Sequence, residues 1–176
     1  IEGNSIHISG GYVSVRASDD GMNGTATSGT AITIGGGTVY IYCSGDGLDS
    51  NSRTSYEGIV FSGGNTVVIT TSGGNSAIDT EQGYSYTGGC VVACMPRGGM
   101  SNEATHCRSF SSVGSMKTLS LSEGGFLIAE IGGSTATVQM PCSMSAYVIV
   151  LGDPSASVSA KSSSSAALDA NGVSWS

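Results

Sequence analysis

Short apolar runs alternate with turns rich in glycine, serine, aspartate and asparagine along the first 108 residues. Glycine pairs at 10–11, 36–37, 63–64 and 88–89 follow one another at steps of 26, 27 and 25 residues. A β-like run follows each pair, at residues 12–16, 38–42, 66–70 and 90–94, and a shorter one precedes each of the first three. No window shows a helical period of 3.6 residues. The pattern therefore predicts a repeat of short strands joined by tight turns.

A regular period of this length is typical of a solenoid, because a single repeat cannot bury its own apolar face. Stacked repeats predict a parallel β-helix in which alternate residues of each strand face inward. The predicted inward residues are Val13, Val15, Val39, Ile41, Cys43, Val91, Ala93 and Met95. The predicted outward residues are Tyr12, Ser14, Arg16, Thr38, Tyr40, Tyr42, Cys90, Val92 and Cys94. A β-sandwich of short hairpins is the rival fold.

The repeat ends near residue 108, and the remaining chain has a different pattern. Residues 117–121, 125–130, 136–140 and 146–151 predict strands of an antiparallel cap that covers the exposed end of the coils. Residues 152–176 form a serine-rich tail whose Val158 and segment 173–175 offer apolar groups for docking. The expected organisation is coils over 1–108, a cap over 109–151 and a tail over 152–176.

Polar residues return in phase with the apolar ones at the turns. When Met22, Leu48 and Ile78 are aligned, two polar columns appear. The first column contains Asp20, Asp46 and Ser76, and the second contains Asn23, Asp49 and Asp79. The glycines of the segment 44–51 let the backbone turn tightly beside its two carboxylates. Turn propensity explains each acid separately, but it explains less well why the acids stack.

Stacked oxygen ligands predict calcium sites between neighbouring coils. Calcium takes 6–8 oxygen ligands, and coils of a β-helix stand about 4.8 Å apart. One predicted site combines Asp20, Asn23, Asp46 and Asp49, and a second combines Asp46, Asp49 and Asp79. Without a cation, carboxylates at this spacing repel one another. The alternative is that the acids only form turns.

Composition narrows the class of protein. The 176 residues are 39% hydrophobic and only 11% charged, which is not typical of a disordered chain. The net charge of −7 argues against a nucleic-acid partner, and no apolar run is long enough to span a bilayer. Five cysteines cannot all pair within the chain, and no CxxC motif indicates zinc; Cys94 with Cys107 is one possible pair.

The turn motifs resemble those of clostridial-type bacterial carbohydrate-binding proteins with a pectate-lyase-like fold. The segments that carry the resemblance are 18–23, 45–51, 75–79 and 86–100, and it extends over about residues 1–151. The family implies a right-handed parallel β-helix, calcium at the acid-rich turns and binding of plant cell-wall polysaccharide without established catalysis. Ser76 departs from the pattern, since an acid there would complete the first column.

Sugar contacts are expected on the outward face of the coils. Tyr12, Tyr40 and Tyr42 offer flat rings to pyranose units, and Arg16 offers donors to a carboxylate or hydroxyl. Strand propensity alone also explains exposed tyrosines. No catalytic residue is assigned. Lyase chemistry needs an Arg or Lys base near the metal, and only Arg53, just after the central turn, is a candidate.

The sequence thus favours an all-β, right-handed parallel β-helix with a C-terminal antiparallel cap. The expected function is calcium-dependent, non-catalytic binding of cellulose- or pectin-like polysaccharide outside a bacterial cell. The alternative is a structural subunit that stacks end to end on copies of itself through its open first coil at Ile1, giving an extracellular filament.

Overall fold

The structure, a computed structural model, describes all residues from Ile1 to Ser176. Four 12-residue strands dominate the first half: β2 (Ile6–Ala17), β4 (Ile32–Cys43), β6 (Ile59–Thr70) and β8 (Ser85–Pro96). Short strands alternate with them: β1 (Glu2–Gly3), β3 (Met22–Gly24), β5 (Leu48–Ser50) and β7 (Ile78–Thr80). The second half contains β9 (Gly114–Leu121), β10 (Phe126–Ile131), β11 (Ser134–Gln139), β12 (Met144–Leu151), β13 (Ser157–Lys161) and β14 (Val173–Trp175).

The first half is a β-solenoid of about three turns. The long strands pair in parallel in the order β2-β4-β6-β8, and the short strands form a second parallel sheet in the order β1-β3-β5-β7. Each coil therefore contributes one long strand and one short strand. The predicted all-β solenoid is confirmed, and the hairpin sandwich does not form.

The glycine pairs bend the long strands instead of separating two short ones. The pairing register between β2 and β4 shifts at the first two pairs, while the strands continue on both sides. Gly37 has a φ of 79°, and a Cβ there would overlap the backbone of Gly10 and Gly11 in the preceding coil. Glycine supplies both the left-handed conformation and the close approach of neighbouring backbones. The runs on either side of each pair are therefore one strand.

The inside of the coils is a mainly apolar core. Ladders of inward residues such as Val39, Ile41 and Leu48 are fully buried in it. The inward assignments of the first, second and fourth coils are confirmed, with Val13 partly buried at the edge. In the third coil the register pairs Thr66 with Val39 and Val68 with Ile41, so the inward residues are Thr66, Val68 and Thr70.

The antiparallel strands of the second half have two positions. Some continue the long sheet at the end of the solenoid, and the others cover its side. β12 pairs antiparallel with β8, and β9 pairs with β12 beyond it. A separate four-stranded sheet, the cap sheet, has the order β13-β10-β11-β14 and includes both tail strands. Its Leu127, Ala129 and Val138 share a second core with residues of the long sheet.

This second core corrects the predicted outward face. Tyr40, Val92 and Cys94 do point away from the coil interior, but they are buried beneath the cap sheet. Strands with apolar residues on both faces are typical of a sheet covered on both sides. The outward positions of the later coils are therefore core positions.

Two one-turn helices interrupt the all-β chain where the repeat ends, namely α1 (Ser101–Ala104) and α2 (Phe110–Val113). Neither was indicated by the sequence, because four residues are too few to show a helical period. All five cysteines are unpaired. Cys94 and Cys107 belong to different cores, so the possible bridge between them does not form.

Candidate functional site

The two polar columns lie along the sheet of short strands. The register pairs Met22 with Leu48 and Leu48 with Ile78, which confirms the phase that the apolar pattern predicts. Asn23, Asp49 and Asp79 are consequently direct neighbours on three successive strands. The column is continued by Glu2, which pairs with Asn23.

The first column forms hydrogen bonds between coils. The backbone N–H of Asp46 donates to Asp20 Oδ1 at 2.8 Å, and that of Ser76 donates to Asp46 Oδ1 at 2.6 Å. Asn23 Nδ2 donates to the second oxygen of Asp20 at 3.3 Å. Burial raises the pKa of Asp46, although the hydrogen bond from Ser76 opposes the rise. The carboxylates of Asp20 and Asp46 therefore connect each turn to the next through hydrogen bonds.

The second column lacks such hydrogen bonds at its centre. Asp49 is half-buried, and no protein group donates a hydrogen bond to its carboxylate. Burial, followed by the charge of Asp79, raises the pKa of Asp49 to about 7. Burial, followed by the charges of Asp46 and Glu103, raises the pKa of Asp79 to about 6. Two carboxylates are thus held where their charged forms are disfavoured.

Asp49 and Asp79 line one pocket of about 240 Å³, which we call the acidic pocket. Its other lining residues are Ser50, Thr80, Glu81, Met100 and Glu103. Four carboxylates face this space, and no Arg, Lys or His lines it. Glu81 comes two residues after Asp79, so the sequence alone places it close to the second column. Glu103 comes from α1, where the repeat has ended, so no periodic signal marks it.

The remaining predicted ligands lie elsewhere. Asp20 and Asn23 line a separate pocket of about 210 Å³ with Ile1, Glu2 and Asp19. Asp46 lines neither pocket. The structure therefore places Asp49 and Asp79 in one pocket and Asp20 and Asn23 in another, although Asn23 is the direct strand neighbour of Asp49.

The acidic pocket suits calcium in its donor chemistry. Calcium prefers oxygen ligands, and the lining offers four carboxylates. As placed, no three His, Cys, Asp or Glu side chains stand close enough to hold a metal ion. The four carboxylates belong to the lining of one pocket, but a calcium ion there would need these side chains to rotate towards one point.

The predicted sugar-contacting tyrosines are largely engaged within the protein. Tyr12 is 52% exposed, but its hydroxyl donates to Asp169 Oδ2 and accepts from Asn171 Nδ2, both at 2.6 Å. Arg16 donates to Asn171 Oδ1 at 3.4 Å, and its guanidinium lies over the rings of Tyr40 and Tyr42 at 5.5 and 5.6 Å. The turn before β14 thus fastens to the first coil.

The structure corrects the prediction for Tyr40, which is only 1% exposed beneath the cap sheet. Its ring cannot stack on a sugar, and its hydroxyl has no hydrogen-bond partner. Tyr42 is partly exposed, and its pKa is raised mainly by burial. Of the three predicted sugar-contacting tyrosines, only Tyr12 and Tyr42 have solvent-exposed surface.

Replacing Tyr40 with phenylalanine should stabilise the fold by about 1 kcal/mol, because a buried unpaired hydroxyl is costly. Thermal unfolding should show a rise in Tm of a few degrees. The matched control is Tyr84→Phe, since the Tyr84 hydroxyl donates to the Ala104 carbonyl at 2.7 Å and its loss should lower Tm. A Tm of Tyr40→Phe at or below the wild-type value would contradict the burial of an unpaired hydroxyl at this position.

The fold and site define a β-solenoid with an acidic column along one face and a sheet covering another. A model of the family described as carbohydrate-binding domain-containing protein matches residues 2–171. Because the match covers nearly the whole chain, the protein belongs to this family. No curated protein and no solved structure matches the chain. None of its helices has the length and apolar character needed to cross a membrane.

Proposed function

We propose that this protein binds cell-wall polysaccharide outside a bacterial cell, that binding depends on calcium, and that it is non-catalytic. The family supports a carbohydrate ligand over the filament hypothesis. The substrate class that we favour is pectin-like, with cellulose-like chains as the second candidate. The charge and donor chemistry of the acidic pocket support this order.

The observation that carries the proposal is the in-register pair Asp49 and Asp79. Both carboxylates have raised pKa values, and Glu81 and Glu103 face the same pocket. An array of this kind is stabilised when a cation enters it, because the cation offsets both burial and repulsion. Calcium matches the carboxylates of this lining better than softer metals do.

The acidic pocket also indicates the kind of polysaccharide. A chain with a net charge of −7 repels an acidic polymer unless a cation lies between them. When bound, calcium supplies this positive charge and accepts oxygen ligands from both partners. Carboxylates of a uronate polymer offer such ligands, whereas a neutral glucan offers only hydroxyls. Asp49 and Asp79 would hold the ion, with Glu81 and Glu103 completing the protein side.

The same lining supports binding without catalysis. A lyase needs a base beside the metal, and no Arg, Lys or His lines the acidic pocket. Arg53, the candidate from the sequence, is exposed and is not part of that lining. An extracellular location follows from the proposed ligand, since cell-wall polysaccharide is met outside the cell.

Adsorption to insoluble calcium polygalacturonate and to microcrystalline cellulose tests the proposal. The wild-type protein should adsorb to polygalacturonate with calcium and be released by chelator. The Asp49→Asn, Asp79→Asn double variant should adsorb at least tenfold more weakly, because it removes two charges from the pocket. The matched control is Glu130→Gln, which removes an exposed charge on the cap sheet that accepts a hydrogen bond from Ser157.

Adsorption that is indifferent to chelator and to the double variant would overturn the calcium part of the proposal. Absence of adsorption to either polymer by the wild-type protein would overturn the proposed substrate class. Release of an unsaturated product would overturn the non-catalytic part.

A further inference from the structure

A pocket of about 400 Å³, which we call the Tyr56 pocket, lies where the turn before β6, the start of β8 and the chain around α2 meet. Its lining is Tyr56, Glu57, Ser85, Tyr86, Thr87, Arg108, Ser109 and Val113. It shares no residue with the acidic pocket. The volume falls within the range of roughly 300–1,000 Å³ that small-ligand pockets occupy.

The two non-glycine residues of the chain with positive φ both line this pocket. Tyr56 has a φ of 58° and Ser109 a φ of 59°. Each is the third residue of a turn: the Glu57 N–H donates to Thr54 O at 3.1 Å, and the Phe110 N–H donates to Cys107 O at 3.2 Å. Glycine is the residue that such a position favours. Side chains that occupy strained positions on one pocket indicate a function for that pocket.

The aromatic and cationic groups of the pocket are held rigidly. The Arg108 guanidinium lies 5.1 Å from the centre of the Tyr56 ring, and His106 meets the same ring edge-on at 5.5 Å. The backbone N–H of Tyr56 donates to Gln82 O, and that of Arg108 donates to Tyr84 O. The Tyr86 hydroxyl donates to Gly89 O at 2.7 Å, which fixes a second ring. The segments 56–57, 85–87 and 108–113 therefore form a preorganised surface.

The chemistry of the lining matches a sugar without charge. Tyr56, Tyr86 and Val113 supply apolar surface of the kind that packs against a pyranose ring. Arg108 supplies a fork of donors, and Glu57 supplies acceptors, while Ser85 and Thr87 add hydroxyls. One positive and one negative group leave the pocket with no net charge. The acidic pocket, with four carboxylates, is its electrostatic opposite.

We propose that the Tyr56 pocket binds a neutral pyranose unit of a polysaccharide, independently of calcium, with Arg108 and Glu57 bonding its hydroxyls. This inference rests on the proposed carbohydrate-binding function and adds a second position of different specificity. A polysaccharide with both neutral and uronate units would then engage both pockets.

Calorimetric titration with the soluble neutral probes cellohexaose, xylohexaose and mannohexaose, in the presence of chelator, tests the inference. At least one probe should bind the wild-type protein, and Arg108→Ala should weaken that binding at least tenfold. Arg108→Lys should bind the probe little better than Arg108→Ala, since lysine lacks the planar fork of donors. The matched control is Arg97→Ala, which removes an exposed arginine outside the pocket. Glu57→Gln should weaken binding without a change in Tm.

Failure of all three probes to bind would overturn the inference, and so would binding that Arg108→Ala and Glu57→Gln leave unchanged. The Asp49→Asn, Asp79→Asn variant separates the two sites. It should keep full affinity for the neutral probe while losing adsorption to calcium polygalacturonate. Loss of the neutral probe's binding in this variant would place both ligands in the acidic pocket and would also contradict the inference.

Discussion

Replacing Gly47 with alanine is expected to destabilise the protein by about 3 kcal/mol, the upper end of the usual cost of overpacking. A Cβ at this position would overlap a methyl group of Val68 and the carbonyl oxygen of Ala77. Both obstacles are rigid, because Val68 belongs to the inner ladder and the Ala77 carbonyl accepts the N–H of Leu48. Thermal unfolding should show Tm lowered by roughly 6–12 °C for a chain of this size.

Gly73→Ala is the matched control for this prediction. Nothing lies within 4 Å of a Cβ built at Gly73, and its backbone is outside the left-handed region. Its Tm should stay within a degree or two of the wild-type value. Equal stability of the two variants would show that the coils do not stack as closely as the structure has them.

Replacing Asp49 with asparagine is expected to stabilise the calcium-free protein at neutral pH. The folded-state pKa of Asp49 is raised from its ordinary value of 3.8 to about 7, so the folded protein binds the proton more tightly than the unfolded chain does. The ionised carboxylate therefore opposes folding above pH 7, and this cost disappears as the pH falls towards 4. Because the group is only half-buried, we expect a gain of roughly 1–2 kcal/mol from the substitution at pH 8.

Urea unfolding in chelator between pH 4 and pH 8 measures this effect. The wild-type free energy of unfolding should decrease as the pH rises through the pKa values of Asp49 and Asp79, about 7 and 6. The Asp49→Asn variant should show a smaller decrease and should exceed the wild type at pH 8. At pH 4 the two proteins should differ little. A variant less stable than the wild type at pH 8 would mean that the Asp49 carboxylate is stabilised by a partner.

Much of the solenoid can be predicted from the sequence because its determinants are local and repeat. Met22, Leu48 and Ile78 occupy equivalent positions in successive coils, and one alignment sets the register of β3, β5 and β7. The same alignment places Asp49 beside Asp79. Features that depend on a period of about 26 residues are therefore visible in the sequence alone.

Contacts between distant segments cannot be predicted in this way. Tyr40 is buried by residues of the cap sheet that lie far along the chain, and its alternation with Val39 and Ile41 indicates only that it points outward. A signal did exist: Val67, Ile69 and Val92 are apolar outward residues, which is unusual for a face in water. Tyr12 is likewise engaged by Asp169, a residue 157 positions away. Contacts between residues so far apart in the sequence do not produce a periodic pattern.

The distinction between the two acid columns also depends on atomic geometry. The sequence predicts that Asp46 and Asp49 belong to the same calcium sites. In the structure Asp46 accepts the backbone N–H of the next coil, whereas Asp49 opens into a pocket with Glu81 and Glu103. Although the two residues are only three positions apart, the Asp46 carboxylate binds the backbone and the Asp49 carboxylate lines the pocket.

Calorimetric titration of Ca²⁺ at pH 7.5 into the wild type, Asp49→Asn and Glu130→Gln tests the central claim most directly. We expect saturable binding by the wild type, binding at least tenfold weaker by Asp49→Asn, and binding indistinguishable from wild type by Glu130→Gln. Saturating calcium should also narrow the stability gap between the first two proteins, because at a hundredfold excess over the wild-type Kd the ligand adds about 2.7 kcal/mol to the wild type and only about 1.4 kcal/mol to a variant that binds tenfold more weakly. No saturable binding by the wild type, or equal affinity in Asp49→Asn, would contradict the assignment of the acidic pocket as a calcium site.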